Sequence, residues 1–110
     1  GRAVYSGPVP DAVTVADGRL AARLCALNLL AALSLACEGD LDRVSGCVKL
    51  NGFVLSAPGF EAAPAVINGA SDLIVDVFGD AGRHARTAIG VAALPRNVSA
   101  EVDAVFALRM

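Results

Sequence analysis

At 110 residues, with nine Lys and Arg against eleven Asp and Glu, the chain is sized for one domain and carries a formal net charge of -2. No basic run is present, so composition gives no support for nucleic-acid binding. A hydrophobic fraction of 55% with 5% aromatics and no Trp implies a core of small aliphatic side chains, with apolar surface left over for another subunit to cover.

In chain order, Arg2–Ser6 reads as the end of a strand, broken by Gly7-Pro8-Val9-Pro10-Asp11. Thr14-Val15-Ala16-Asp17 resembles a capping box and opens a helix expected over 14–38, with Gly39 as the stop. Leu20, Leu24, Leu27 and Ala31 recur at helical spacing and are the expected buried stripe. The longest uncharged stretch, Leu24 to Cys37, falls short of the roughly 18 apolar residues a membrane span needs. No signal peptide is recognisable, and a start at Gly1 rather than Met implies a natural N-terminus further upstream.

A strand is expected over 44–56. Strict alternation puts Val44, Gly46, Val48, Leu50, Gly52 and Val54 on one face and Ser45, Cys47, Lys49, Asn51 and Phe53 on the other. Ala57-Pro58-Gly59 turns the chain into a second helix, about 61–78, with Val66, Ala70, Leu73 and Val77 as its stripe. Two strands follow, about 85–93 and 99–108, joined by Leu94-Pro95-Arg96-Asn97. Each helix then bridges two strands, and both cover one face of a single sheet. The opposite face carries Lys49, Asn51, Glu101 and Asp103, with either Arg86 or Thr87, and is the expected surface for association.

Cys25, Cys37 and Cys47 form no CxxC or Cys/His spacing and read as buried free thiols of a cytosolic protein. In that compartment Asn97-Val98-Ser99 is not a glycosylation site. One His and scattered acids supply no metal-ligand spacing, and Gly79-Asp80-Ala81-Gly82-Arg83 lacks the ending of a phosphate loop.

Several segments together resemble the YjgF/RidA family, also known as the endoribonuclease L-PSP family. They are His84-Ala85-Arg86-Thr87-Ala88-Ile89-Gly90-Val91, Leu94-Pro95, Ala100-Glu101-Val102-Asp103-Ala104-Val105, Val66-Ile67-Asn68-Gly69-Ala70, Asp40-Leu41-Asp42-Arg43-Val44 with Lys49-Leu50-Asn51-Gly52-Phe53-Val54, and Tyr5-Ser6-Gly7. The resemblance spans residues 1–110 as one domain and is greatest to the longer-chain, chorismate-mutase-like branch. It implies an α+β fold with two helices on one face of a mixed sheet. It also implies a homotrimer whose sheets close a central barrel with interfacial sites, and a further N-terminal strand or hairpin upstream of Gly1.

The activity implied is hydrolysis of 2-imino acids and their enamine tautomers to 2-keto acids and ammonia, without cofactor, metal, nucleic acid or membrane, in the cytoplasm. By the same resemblance Arg86 binds the substrate carboxylate, for which a planar guanidinium is suited. Glu101 orients water and moves the proton. Thr87, Ala88, Asn68 and Phe60 border the substrate, and Asp103 supports the interface. Relatives often carry Ser then Cys where Thr87 and Ala88 stand; water attack needs no thiol, so this departure bears on substrate preference. His84, the lone histidine, precedes the strand and is more readily structural than catalytic. The alternatives are a non-catalytic carboxylate-binding or regulatory trimer, an endoribonuclease, which the acidic composition disfavours, and a chorismate mutase, for which one cation is too few.

Overall fold

The structure, a computed structural model, describes residues 5–109. Helix α1 runs Val15–Ala36, strand β1 Val44–Leu55, helix α2 Ala63–Phe78, strand β2 Ala85–Val91 and strand β3 Ala100–Leu108. The expected ends all hold to within two residues, and Cys37 caps the C-terminal end of α1. Thr14 caps α1 by accepting a hydrogen bond from the Asp17 amide at 3.1 Å. At the other end Gly39, at φ +85°, donates its amide to Ser34 O at 2.7 Å. Of the expected first strand, Arg2–Val4 lie outside the described residues, and Ser6 makes a single antiparallel bridge to Val98.

The sheet order is β2-β1-β3, with β1 parallel to β2 and antiparallel to β3. Helix α2 is therefore the crossover between two parallel strands, and both helices pack on one sheet face. Leu50 and Val54 of β1 meet Val66, Ile67 and Ile74 of α2 and the small residues of α1 in one core. Each of the larger side chains contributes about 1.5–3 kcal/mol by leaving water.

On α2 the expected stripe is buried at Val66, Ala70 and Leu73, whereas Val77 near its C-terminal end is 44% exposed; on α1 and β1 the expected faces differ further. On α1 the buried residues are Gly18, Ala21, Ala22, Ala26 and Leu30. Leu20, Leu24 and Leu27 are 48%, 39% and 43% exposed, and Ala31 is exposed as well. The cause is close helix crossing: a Cβ on Gly69 of α2 would lie 2.0 Å from Arg19 O. Only small residues fit along such a seam, so the leucines turn outward. By length and composition α1 reaches the range of a membrane span, but here it lies on α2 and β3.

On β1 the alternation slips. The pairing with β3 shifts between Val44 and Gly46 and again between Cys47 and Lys49, each shift adding one residue to β1. Cys47 consequently turns inward, at 5% exposure, and Val48 outward, at 54%. Beyond the second bulge the expected phase returns, with Leu50, Gly52 and Val54 inward.

The parallel register settles the facing of β2. Arg86 lies opposite Leu50 and Ala88 opposite Gly52, so both point to the helix side. Thr87 lies opposite Asn51 and Ile89 opposite Phe53, so both point to the open side. That open face also presents Lys49, Glu101, Asp103 and Val105, and Asn51 donates to Asp103 Oδ1 at 2.9 Å.

Candidate functional site

Where β2 passes the flank of α2, Asn68, Ser71, Val75, Arg83, His84 and Arg86 surround an open depression of about 280 Å³. Spacing explains the convergence. Asn68 and Ser71 stand three residues apart on one helix face, and His84 and Arg86 two apart on one strand face. The size is just below the usual range for a small-molecule site, and apart from Val75 the lining is cationic or polar, with no carboxylate among the described residues.

The side chains form a chain of hydrogen bonds. Arg86 Nη1 donates to Asn68 Oδ1 at 2.7 Å and to Ser71 Oγ at 3.3 Å. Ser71 Oγ lies 2.9 Å from His84 Nε2, and His84 Nδ1 lies 2.6 Å from Gly82 O. A carbonyl only accepts, so Nδ1 carries a proton; in the neutral ring Nε2 then accepts from the serine hydroxyl. Both Nη1 protons of Arg86 are thus engaged, and its Nε–Nη2 edge has no partner among the described residues. That edge is the half of a guanidinium fork that matches two carboxylate oxygens. Arg86 makes no ion pair among the described residues, whereas neighbouring Arg83 contacts Asp80 at 3.2 Å on exposed surface.

Of the residues expected at a site, Arg86 and Asn68 come together and share a hydrogen bond. Ala88 follows on the same side of β2 and packs against the core. Thr87 lies on the open face, and Phe60 packs against the core away from the depression. Glu101, opposite Phe53 on β3, is on the open face at the far side of the sheet from Arg86. One chain therefore does not bring Arg86 and Glu101 together.

Ser71 is not among the site residues expected from the sequence, where His84 reads as structural; the two spacings just given are the sequence signal that joins them. The thiols belong elsewhere. Burial raises the Cys25 thiol above its ordinary pKa, with a smaller contribution from the Glu101 charge, and burial likewise raises Cys47. Among the described residues no group of three or more His, Cys, Asp or Glu could hold a metal ion.

Two helices on one face of a mixed sheet, with an arginine-lined depression at the strand–helix edge, define an α+β architecture. Residues 1–108 match the family described as "YjgF/chorismate_mutase-like, putative endoribonuclease", and the chain belongs to that family. It is 51% identical over 104 residues to Protein TCP17 of Trypanosoma cruzi, covering 94% of this chain and 64% of that protein's length. The crystal structure of Atu1372, of unknown function, from Agrobacterium tumefaciens superposes with a TM-score of 0.98 at 47% identity, covering 100% of this chain and 70% of that one. A structure described as a "putative endoribonuclease" from Shewanella oneidensis gives a TM-score of 0.88 at 35% identity, covering 93% and 67%.

Proposed function

We propose that the protein hydrolyses small 2-imino acids, and the enamines that tautomerise to them, to 2-keto acids and ammonia. The observation that carries this reading is Arg86. Asn68 and Ser71 engage its Nη1, and one fork edge is left for a carboxylate beside a depression sized for a small acid. A carboxylate gripped there fixes the adjacent imine carbon next to Ser71, so that water adds to a held electrophile.

In this reading Glu101 orients the attacking water. Arg86 and Glu101 lie on opposite faces of one sheet, so placing both at one substrate requires a second copy of the chain. A cytoplasmic homotrimer joined through the open sheet face, with sites between subunits, meets that requirement, and exposed Val48, Ile89 and Val105 on or beside that face suit it. No metal or cofactor takes part.

An RNA-cleaving reading draws on the family description alone; a net charge of -2 opposes it. The deciding experiment generates 2-iminobutyrate in situ with a pyridoxal-phosphate dehydratase and follows 2-ketobutyrate release against semicarbazide trapping. The protein accelerates release and Arg86→Ala does not. If neither exceeds the uncatalysed rate over several imino acids, the protein is a binding module and not a deaminase.

A further inference from the structure

A series of polar contacts runs through the arginine pocket. Gly82 O, His84, Ser71 and Arg86 are linked in series by contacts of 2.6, 2.9 and 3.3 Å. A hydroxyl held against an imidazole nitrogen, with the other ring nitrogen fixed by an acceptor, is the arrangement that makes serine a proton conduit. Nothing in the packing requires it. Ser71 and His84 are only half-buried, and the pair lines a solvent-open depression instead of filling the core.

We propose that Ser71 is a catalytic proton carrier of this site and that His84, acting through it, is the positioning residue that stores the proton. The proposal rests on the imine-hydrolysis reading and adds a proton path on the same side of the sheet as Arg86. A serine oxygen has two lone pairs; Arg86 Nη1 takes one, and the other is available to the water at the imine carbon. As water forms its C–O bond to the iminium carbon, the C=N π electrons move onto nitrogen. Water's proton passes to Ser71 Oγ, whose own proton moves to His84 Nε2. The path then runs backwards: Nε2 returns its proton through Oγ to the amine nitrogen of the carbinolamine. The C–N bond breaks, the C=O bond forms and the departing ammonia takes the hydroxyl proton. One iminium ion and one water give one ketone and one ammonium ion, with no co-reactant.

The charged side chains lining the depression beside His84 are Arg83 and Arg86, and the partner of Arg83 is Asp80. Among the described residues no carboxylate lines it, so within one chain Ser71 and His84 are the groups in the pocket placed to carry a proton.

The test measures imino-acid turnover for wild type, Ser71→Ala, Ser71→Thr and His84→Gln from pH 5.5 to 8.5, with thermal unfolding and 2-ketobutyrate binding recorded for each. Removing a positioned acid–base group lowers kcat by about 10²-fold or more. That loss is expected in Ser71→Ala and His84→Gln, with KM and 2-ketobutyrate affinity held within about twofold, since both report on Arg86. Ser71→Thr keeps the hydroxyl and recovers activity, and the acidic limb of the wild-type kcat profile disappears in His84→Gln. Wild-type kcat and an unchanged profile in folded Ser71→Ala and His84→Gln overturn the relay while leaving the deaminase reading intact. A rise in KM at constant kcat also overturns it, because the pair would then only be steadying Arg86. A wild type without turnover removes the deaminase reading itself, and the relay with it.

Discussion

Replacing Gly69 by Ala separates two opposing effects in the helix pair. Gly69 sits within α2, where Ala is intrinsically better by about 1 kcal/mol. The added Cβ would lie 2.0 Å from Arg19 O, 2.8 Å from its carbonyl carbon and 3.1 Å from its Cα. The oxygen is about 1.4 Å inside ordinary contact, and every atom concerned is backbone, so no rotamer change relieves the overlap. Helix α1 has to move away from α2, at a cost near the top of the overpacking range, about 3 kcal/mol. The net loss is about 2 kcal/mol, which for a domain near 100 residues lowers Tm by about 8–16 °C. Thermal unfolding by circular dichroism measures it. A Tm equal to or above wild type would show that helix propensity outweighs the crossing, and that α1 and α2 do not approach as described.

The exposed leucines and buried alanines of α1 give a paired test. Ala22→Leu, at a position with 0% exposure, is expected to cost about 1–3 kcal/mol, whereas Leu24→Gln, at 39% exposure, stays within about 1 kcal/mol in chemical unfolding of the isolated chain. The cysteines give a pH test. The folded chain raises Cys25 and Cys47 above their unfolded pKa, so their contribution to stability is intact below about pH 8.5 and is lost as pH rises through the raised folded values. The urea midpoint should therefore fall at alkaline pH in the wild type, and fall less in Cys25→Ala/Cys47→Ala.

How much of this was legible in the sequence differed from element to element. Thr14, Gly39, Ala57-Pro58-Gly59 and Gly79 punctuate the chain clearly, and the elements lie between them. The orientation of α1 was not legible, because it is apolar on more than one face: periodicity picked out the leucines, and the need for a close helix crossing selected the alanines. The phase of β1 was legible at Val44 and again from Leu50 on but not between them, because bulges at Ser45 and Val48 each insert a residue that no composition rule marks. On β2 small residues alternate with Arg86, Thr87 and Ile89 on both sides, so only pairing with β1 fixes Arg86 on the helix side. Within the site, Arg86 and Asn68 were named and do meet. Glu101 was named beside them, although the sheet separates it from Arg86, and Ser71 was hidden among the polar residues of a helix.

The pocket assignment turns on one guanidinium. Titrating 2-ketobutyrate into protein labelled with nitrogen-15, and following the arginine Nε–H signals, reads that group directly. A saturable shift of the Arg86 signal, abolished by Arg86→Lys and absent at Arg43, Arg83 and Arg96, is the expected result, because Nη1 is engaged by Asn68 and Ser71 and the Nε–Nη2 edge has no partner among the described residues. An Arg86 signal that stays still while another arginine moves, or while none does, would place the carboxylate elsewhere and contradict the site.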